Sequence, residues 1–301
     1  MNSLPLTLDS YQTATHLLYA VGIPYFFALI AIELATLRKL NGRMTNISGP
    51  IKVVQGYQWK DSVCSISMGA IMLVVTGVAL LWTLPLMDWL YARRVFDLDV
   101  SAWWFVPLLI VADDFVYYWY HRTAHRCALF WAEHSNHHTS ETYNLSTALR
   151  QSVTGPLYAF VFWLPLVWLG FHPLVLAFAH AVNLLYQYWI HTELFEVHGW
   201  FERVFNCPQH HRLHHAKNEE YHDCNYGGMF IVFDRWFGTY RDYTPGVAPV
   251  YGTLTPVLTT NPFKQAVMGW VHLAQKIRRT SGLKQRLLCL IKPPGWTPNK
   301  A

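Results

Sequence analysis

Residues 103–138 read WWFVPLLIVADDFVYYWYHRTAHRCALFWAEHSNHH, an apolar run that passes without a break into five histidines. Trp103 to Trp119 carries aromatic residues at both ends, as segments that meet two membrane–water interfaces do, and is expected to form a transmembrane helix. Continued past the interface, that helix puts His121 and His125 at i and i+4 on one face. His134, His137 and His138 follow at i, i+3 and i+4, and the same spacing returns at His211, His214 and His215. With 16 histidines in 301 residues, an HxxHH pattern arises by chance about 0.04 times in such a chain. Two copies therefore point to chemistry, and each triplet is expected to present its imidazoles on one helical stripe.

Outward from this stretch the sequence stays apolar. It is 52% hydrophobic and 14% charged, more apolar than one soluble domain hides. Leu17–Leu37, which ends at Arg38 and Lys39, and Val63–Leu86, bounded by Lys60, Asp61 and Asp88, are each long enough to cross a bilayer at about 20 residues per crossing. Ser152–Gly170 and Pro173–Ile190 are expected to form a helical hairpin around Gly170-Phe171-His172-Pro173. The first arm is short and carries Pro165, so two full crossings and a half-inserted hairpin both stay open. The N-terminal MNSLPLTLDS has no Lys or Arg before its apolar run and no small-residue cleavage site after it, which predicts a retained anchor. The expected fold is an all-α, multi-pass transmembrane protein: transmembrane helices over 1–98, a catalytic region over 99–245 and a basic cytoplasmic tail over 246–301. No linker, repeat or low-complexity tract divides it.

Charge sets the expected orientation. Arg38, Lys39, Arg43, Lys52 and Lys60 follow the first span, whereas Arg93 and Arg94 after the second are offset by acids, so the first loop is expected to be cytoplasmic. Counting crossings from there brings every histidine cluster to that same face, as a histidine-rich di-metal cap on the bilayer. A net charge of +5, dispersed beside apolar segments, excludes nucleic acid and favours lipid headgroups. The five cysteines form no CxxC pair, which leaves no zinc-ribbon or redox spacing.

Eight imidazoles in three clusters exceed the roughly three protein ligands of a catalytic zinc, so two ions fit the count better. Imidazole suits iron, zinc, copper and nickel alike, and the repeated Glu-x-x-His pairs of soluble di-iron bundles are missing. His191, at the end of the fifth apolar segment, is a candidate ninth ligand. Gln187, one turn earlier, is a candidate for orienting a ligand from behind or for replacing a tenth; His210 and His222 are alternatives for that tenth position. Asp114 lies seven residues before His121 on its face and is a candidate acceptor for a ligand's second N–H, against a purely structural role. Glu33 has no partner visible in the sequence and reads as structural. Ligands gathered at span ends argue against a membrane metal transporter, which needs them through the depth of its spans, and a bis-histidine haem needs facing histidines inside the bilayer.

At these clusters the sequence resembles the fatty acid hydroxylase and sterol desaturase superfamily, through HxxxH at His121–His125 and HxxHH at His134–His138 and His211–His215. The likeness covers roughly residues 100–245. The longer strings Tyr143-Asn-Leu-Ser-Thr-Ala-Leu-Arg-Gln-Ser152, Asn183-Leu-Leu-Tyr-Gln-Tyr-Trp-Ile-His-Thr-Glu193 and Asn225-Tyr-Gly-Gly228 are most similar to its alkylglycerol monooxygenase group and the bacterial members of that group. Arg126, Ala216 and Cys224 stand where that group usually has Glu, Gly and Lys. The resemblance implies two iron ions held by His121, His125, His134, His137, His138, His191, His211, His214 and His215. It also implies hydroxylation of a lipid C–H bond with O2, desaturation being the nearest alternative chemistry. Electrons are then expected from a separate redox protein or a diffusible reductant, tetrahydrobiopterin among them.

Overall fold

The computed structural model describes residues 6–40, 56–257 and 259–298; Arg43 and Lys52 of the basic loop lie outside them. The first helix, α1 (Leu8–Lys39), begins where the Thr7 hydroxyl accepts the Ser10 N–H at 3.2 Å. Asp9 in its first turn and Arg38 and Lys39 in its last match the helix dipole. Its 32 residues span about 48 Å at 1.5 Å each, and α2 (Trp59–Tyr91) is one residue longer. Among the described residues these two helices are long and apolar enough to cross a membrane.

The third expected span is α3 (Phe105–Arg126), which runs unbroken through His121 and His125. Asp113 and Asp114 lower its hydropathy, yet both are turned inward and buried. The fourth apolar segment is not one helix. Its chain passes through 3-10 turns at Gly155–Leu157 and Ala159–Phe162 before the short α5 (Leu164–Leu169). Pro156 and Pro165, each in the first turn of its element, supply no N–H to a longer ladder. At Gly170 the backbone turns back with φ 118°, and a Cβ there would lie 2.3 Å from the Phe96 carbonyl, so only glycine fits. The side chain of His172 then accepts the Leu174 N–H and starts α6 (Pro173–Trp189).

One end of the bundle is apolar, with Tyr11, Phe105, Leu109, Val167, Phe171 and Val175 packed together. At the other end α1 finishes, α2 starts and α3 and α6 deliver their histidines. A cap closes over it, formed by α4 (Ala128–His134), α7 (Phe201–Val204), α8 (Pro208–His214), α9 (Val232–Trp236), α10 (Pro262–Arg278) and α11 (Leu283–Ile291). The described residues hold no β-strand; two isolated bridges, Phe205 to Phe230 and Ala216 to Tyr251, tie the cap loops.

The segment 143–152 braces the cap on α2. Arg150 is buried, forms an ion pair with Asp61 and donates to the Ser65 hydroxyl at 3.1 Å. Glu33 proves to be a junction. Its carboxylate accepts the Tyr57 and Thr192 hydroxyls and, at 2.9 Å, the Leu145 N–H, which ties α1 to two cap loops.

Candidate metal centre

Nine buried or nearly buried imidazoles meet where α3, α4, α6 and α8 converge. They divide into two groups, His121, His125, His134, His138 and His214 in one and His137, His191, His211 and His215 in the other, the ligand atoms of each group lying within 4.8 Å of one another. Each HxxHH triplet is thus shared between the groups rather than kept on one stripe. Helical geometry explains the division. Positions i and i+4 differ by about 40° around a helix, whereas i+3 and i+4 differ by about 100°. The pairs His121/His125, His134/His138 and His211/His215 therefore each stay together, while His137 and His214 turn to the other group. α4 itself ends at His134, and Ser135 and Asn136 keep right-handed helical dihedrals up to the 3-10 turn at His137–Thr139, so the angular relation survives the break. The groups adjoin, since the His138 ring stacks on that of His215 at 4.4 Å between centroids.

Backbone carbonyls fix several tautomers. Nδ1–H of His121 donates to the Tyr226 carbonyl at 2.8 Å, that of His137 to Arg150 at 3.0 Å, that of His191 to Gln187 at 2.7 Å and that of His214 to Cys224 at 2.9 Å. A carbonyl only accepts, so the Nε2 of each of these rings carries a bare lone pair. His137 and His191 direct theirs at each other across 3.3 Å. Burial also opposes protonation, holding His137 down to about 4 and His214 down to about 3. Two facing lone pairs with no proton between them repel, and a cation reconciles them. The spacing fits as well: His121 Nε2 to His134 Nε2 and His211 Nε2 to His191 Nε2 are both 3.0 Å, the separation of adjacent ligands at about 90° on a metal bonded at about 2.1 Å. His125 Nε2 and His214 Nε2 are buried without a hydrogen-bond partner, as atoms left for a metal are.

The supporting residues differ from expectation. Asp114 accepts no imidazole N–H; its oxygens take the Met229 and Phe230 N–H groups at 2.7 and 2.9 Å and the Asn183 amide at 2.9 Å. The reason is reach, because the turn at 226–230 lies between Asp114 and the rings and supplies the Tyr226 carbonyl instead. That turn needs its glycines: a Cβ on Gly228 would lie 2.5 Å from both Asp114 Oδ1 and Asn183 Oδ1. The Gln187 side chain is taken by Asn183 and Tyr117, each at 2.8 Å, and only its backbone carbonyl serves His191. His210 caps α8 by accepting the Cys207 N–H at 3.3 Å, and His222 meets the Lys217 carbonyl at the surface; both stand outside the two groups. Arg126 pairs with Asp223 at 2.6 Å, away from the imidazoles.

Glu33 is structural, as its sequence position suggested, with partners that the sequence did not show, and sequence reading missed Glu133. Glu133, beside His134, is fully buried and accepts the Tyr120 hydroxyl at 2.8 Å, and burial pushes its carboxyl up to about 8. A glutamate immediately before a histidine triplet was the available signal.

The family model described as fatty acid hydroxylase matches residues 106–239, the stretch that carries all nine imidazoles. Alkylglycerol monooxygenase of Danio rerio is 36% identical over 92% of this chain, and that of Homo sapiens 35% identical over 92%. The chain spans 59% of the length of each of these relatives. A Delta(7)-sterol 5(6)-desaturase of Gibberella zeae is 28% identical over 48% of the chain and 44% of its own length. No solved structure matches. With the histidine motifs, the matched region and the similarity along nine-tenths of the chain in agreement, residues 106–239 are a fatty acid hydroxylase domain.

Proposed function

We propose that this protein is a membrane non-haem di-iron monooxygenase that hydroxylates a lipid C–H bond with O2, acting on ether lipids of the alkylglycerol kind. The observation that carries the reading is the pair of adjoining imidazole groups with bare nitrogens turned inward. Similarity to the alkylglycerol monooxygenases supports the substrate class. Iron bound there would supply O2 activation, removal of hydrogen from carbon and return of a hydroxyl group.

The chain's own residues do the rest. His121, His125, His134, His138 and His214 hold one ion; His137, His191, His211 and His215 hold the other. The carbonyls of Tyr226, Arg150, Gln187 and Cys224 keep the rings neutral and aimed. Gln187 acts through its carbonyl, and Asp114 acts by holding the turn that presents Tyr226. The catalytic region is 99–245, and the apolar bundle beneath the cap admits the lipid chain. If the hydroxylated carbon adjoins an ether oxygen, the hemiacetal product falls apart to an aldehyde and an alcohol. Electrons come from a separate redox protein or a diffusible reductant such as tetrahydrobiopterin. The basic residues Arg38 and Lys39 at the end of α1, beside the cap, support a cytoplasmic active site, and the resemblance to bacterial members of the group supports a bacterial inner membrane.

The test is turnover of purified, iron-loaded protein with an alkylglycerol, a reductant and labelled O2. Aldehyde and glycerol, with label recovered in the aldehyde before exchange, are expected. A double bond formed without label makes the protein a desaturase, and full activity with zinc alone sinks the iron assignment.

A further inference from the structure

Up to Asp242 the sequence holds 18 acidic and 15 basic residues; after it come eight basic residues and no acid. The positive charge of the protein therefore belongs to the region that folds as α10 and α11. Both helices have one face seated on the cap. Gln265, Ala266, Leu273 and Cys289 are buried. The Ala266 carbonyl accepts the Asn136 amide at 3.2 Å and Trp270 donates to Thr154 at 3.0 Å. At Gly269 a Cβ would lie 2.1 Å from the Ala132 carbonyl, and the Lys292 carbonyl accepts the Ala128 N–H at 3.0 Å. This docking fixes which face turns outward.

The outward faces are apolar in a regular pattern. Phe263, Val267 and Val271 are 68%, 48% and 39% exposed, and Leu283, Leu287 and Ile291 are 75%, 54% and 63% exposed. Both triplets run i, i+4, i+8, so each forms a narrow stripe along its helix. Exposed Lys264, Arg278 and Arg279 flank or end the first stripe, and Lys284, Arg286 and Lys292 the second. At 17 and 9 residues, and this polar, neither helix crosses a bilayer. Leu and Phe on one side with Lys and Arg beside them is the composition of a helix that lies in the membrane interface. The position agrees, since Ala266 packs with Cys64 and Met68 near the start of α2, the end of the bundle where the cap sits.

We propose that α10 and α11 form an interfacial anchor that docks on an anionic bilayer surface, the two apolar stripes entering the acyl boundary and the basic flanks meeting headgroup phosphates. Because α10 and α11 brace α4, this anchor holds the segment that carries His134, His137 and His138 against the membrane.

The test uses the full chain in nanodiscs of phosphatidylcholine with and without phosphatidylglycerol. Spin labels are placed at Phe263→Cys, Leu287→Cys and, as a flank control, Lys284→Cys, against the unlabelled-site background of the native chain. Metal content equal to that of the native protein confirms that each variant is folded. In anionic nanodiscs, collisions with O2 should exceed those with a water-soluble nickel chelate at 263 and 287 and be reversed at 284. Neutral nanodiscs, or the triple variant Arg278→Glu, Arg279→Glu, Lys284→Glu in anionic ones, should raise nickel access at the stripes severalfold. Stripes open to nickel in anionic nanodiscs overturn the proposal. So does protection that ignores lipid charge, or protection accompanied by label-to-label dipolar broadening, which assigns the face to a second copy of the chain.

Discussion

His137 and His191 face each other through unprotonated nitrogens 3.3 Å apart, and this local repulsion makes the ligand assignment testable one residue at a time. His137→Ala and His214→Ala remove ligands from different groups, so each should lose about one ion per chain and abolish turnover. His272→Ala, on α10, should do neither; metal analysis of the purified variants reads both. Asp114 poses a separate question, because it supports a turn rather than a ring. Asp114→Ala leaves the Met229 and Phe230 N–H groups buried without an acceptor, at about 1–3 kcal/mol for each unsatisfied group. A lowered melting temperature and easier metal loss to a chelator are expected, with Asp114→Asn milder because its amide oxygen still accepts one of the two. An Asp114→Ala protein as stable and as tightly loaded as the native one would remove the turn from the design of the centre.

At the scale of elements, the histidine motifs were legible because their spacing matches the helix period. How they partition was not. Helical offsets part His137 and His214 from their neighbours, with helical dihedrals persisting through Ser135 and Asn136 after α4 has formally ended, but which rings then meet as five and four depends on where α3, α4, α6 and α8 come together in the fold. The fourth apolar segment shows the converse. Its composition leaves a full crossing and a half-inserted arm both open, and in the structure Pro156 and Pro165 interrupt it and the chain turns at Gly170 beside the Phe96 carbonyl. Glu33 joins α1 to the cap, and its partners Tyr57, Leu145 and Thr192 lie 24, 112 and 159 residues away, so nothing local in the sequence announces them. Glu33→Ala strands the Leu145 N–H and frees the Thr192 loop next to His191. Chelator-induced metal loss should therefore quicken, and Glu33→Gln should restore part of the difference by keeping an acceptor.

For the whole molecule, metal and fold are expected to be coupled, since only the folded chain assembles donors drawn from four helices and the bound ion adds its affinity to stability. Stripping the metal should lower the melting temperature and readdition of iron should restore it; an unchanged transition would mean that the imidazoles are stable facing each other. The sequence by itself determined that the chain is helical and apolar, that histidine clusters lie at one end of the apolar segments, and which histidines those clusters contain. Composition and helical period are properties of residues near one another in the chain, and they act before any tertiary contact forms. Only the tertiary structure decided which imidazoles gather into one group, that the Tyr226 carbonyl rather than Asp114 orients His121, and that the basic C-terminal region packs on the cap with its apolar stripes turned outward. Each of these depends on groups distant in sequence. The backbone carbonyls among them are carried by every residue alike, so their selection leaves no mark in the order of side chains.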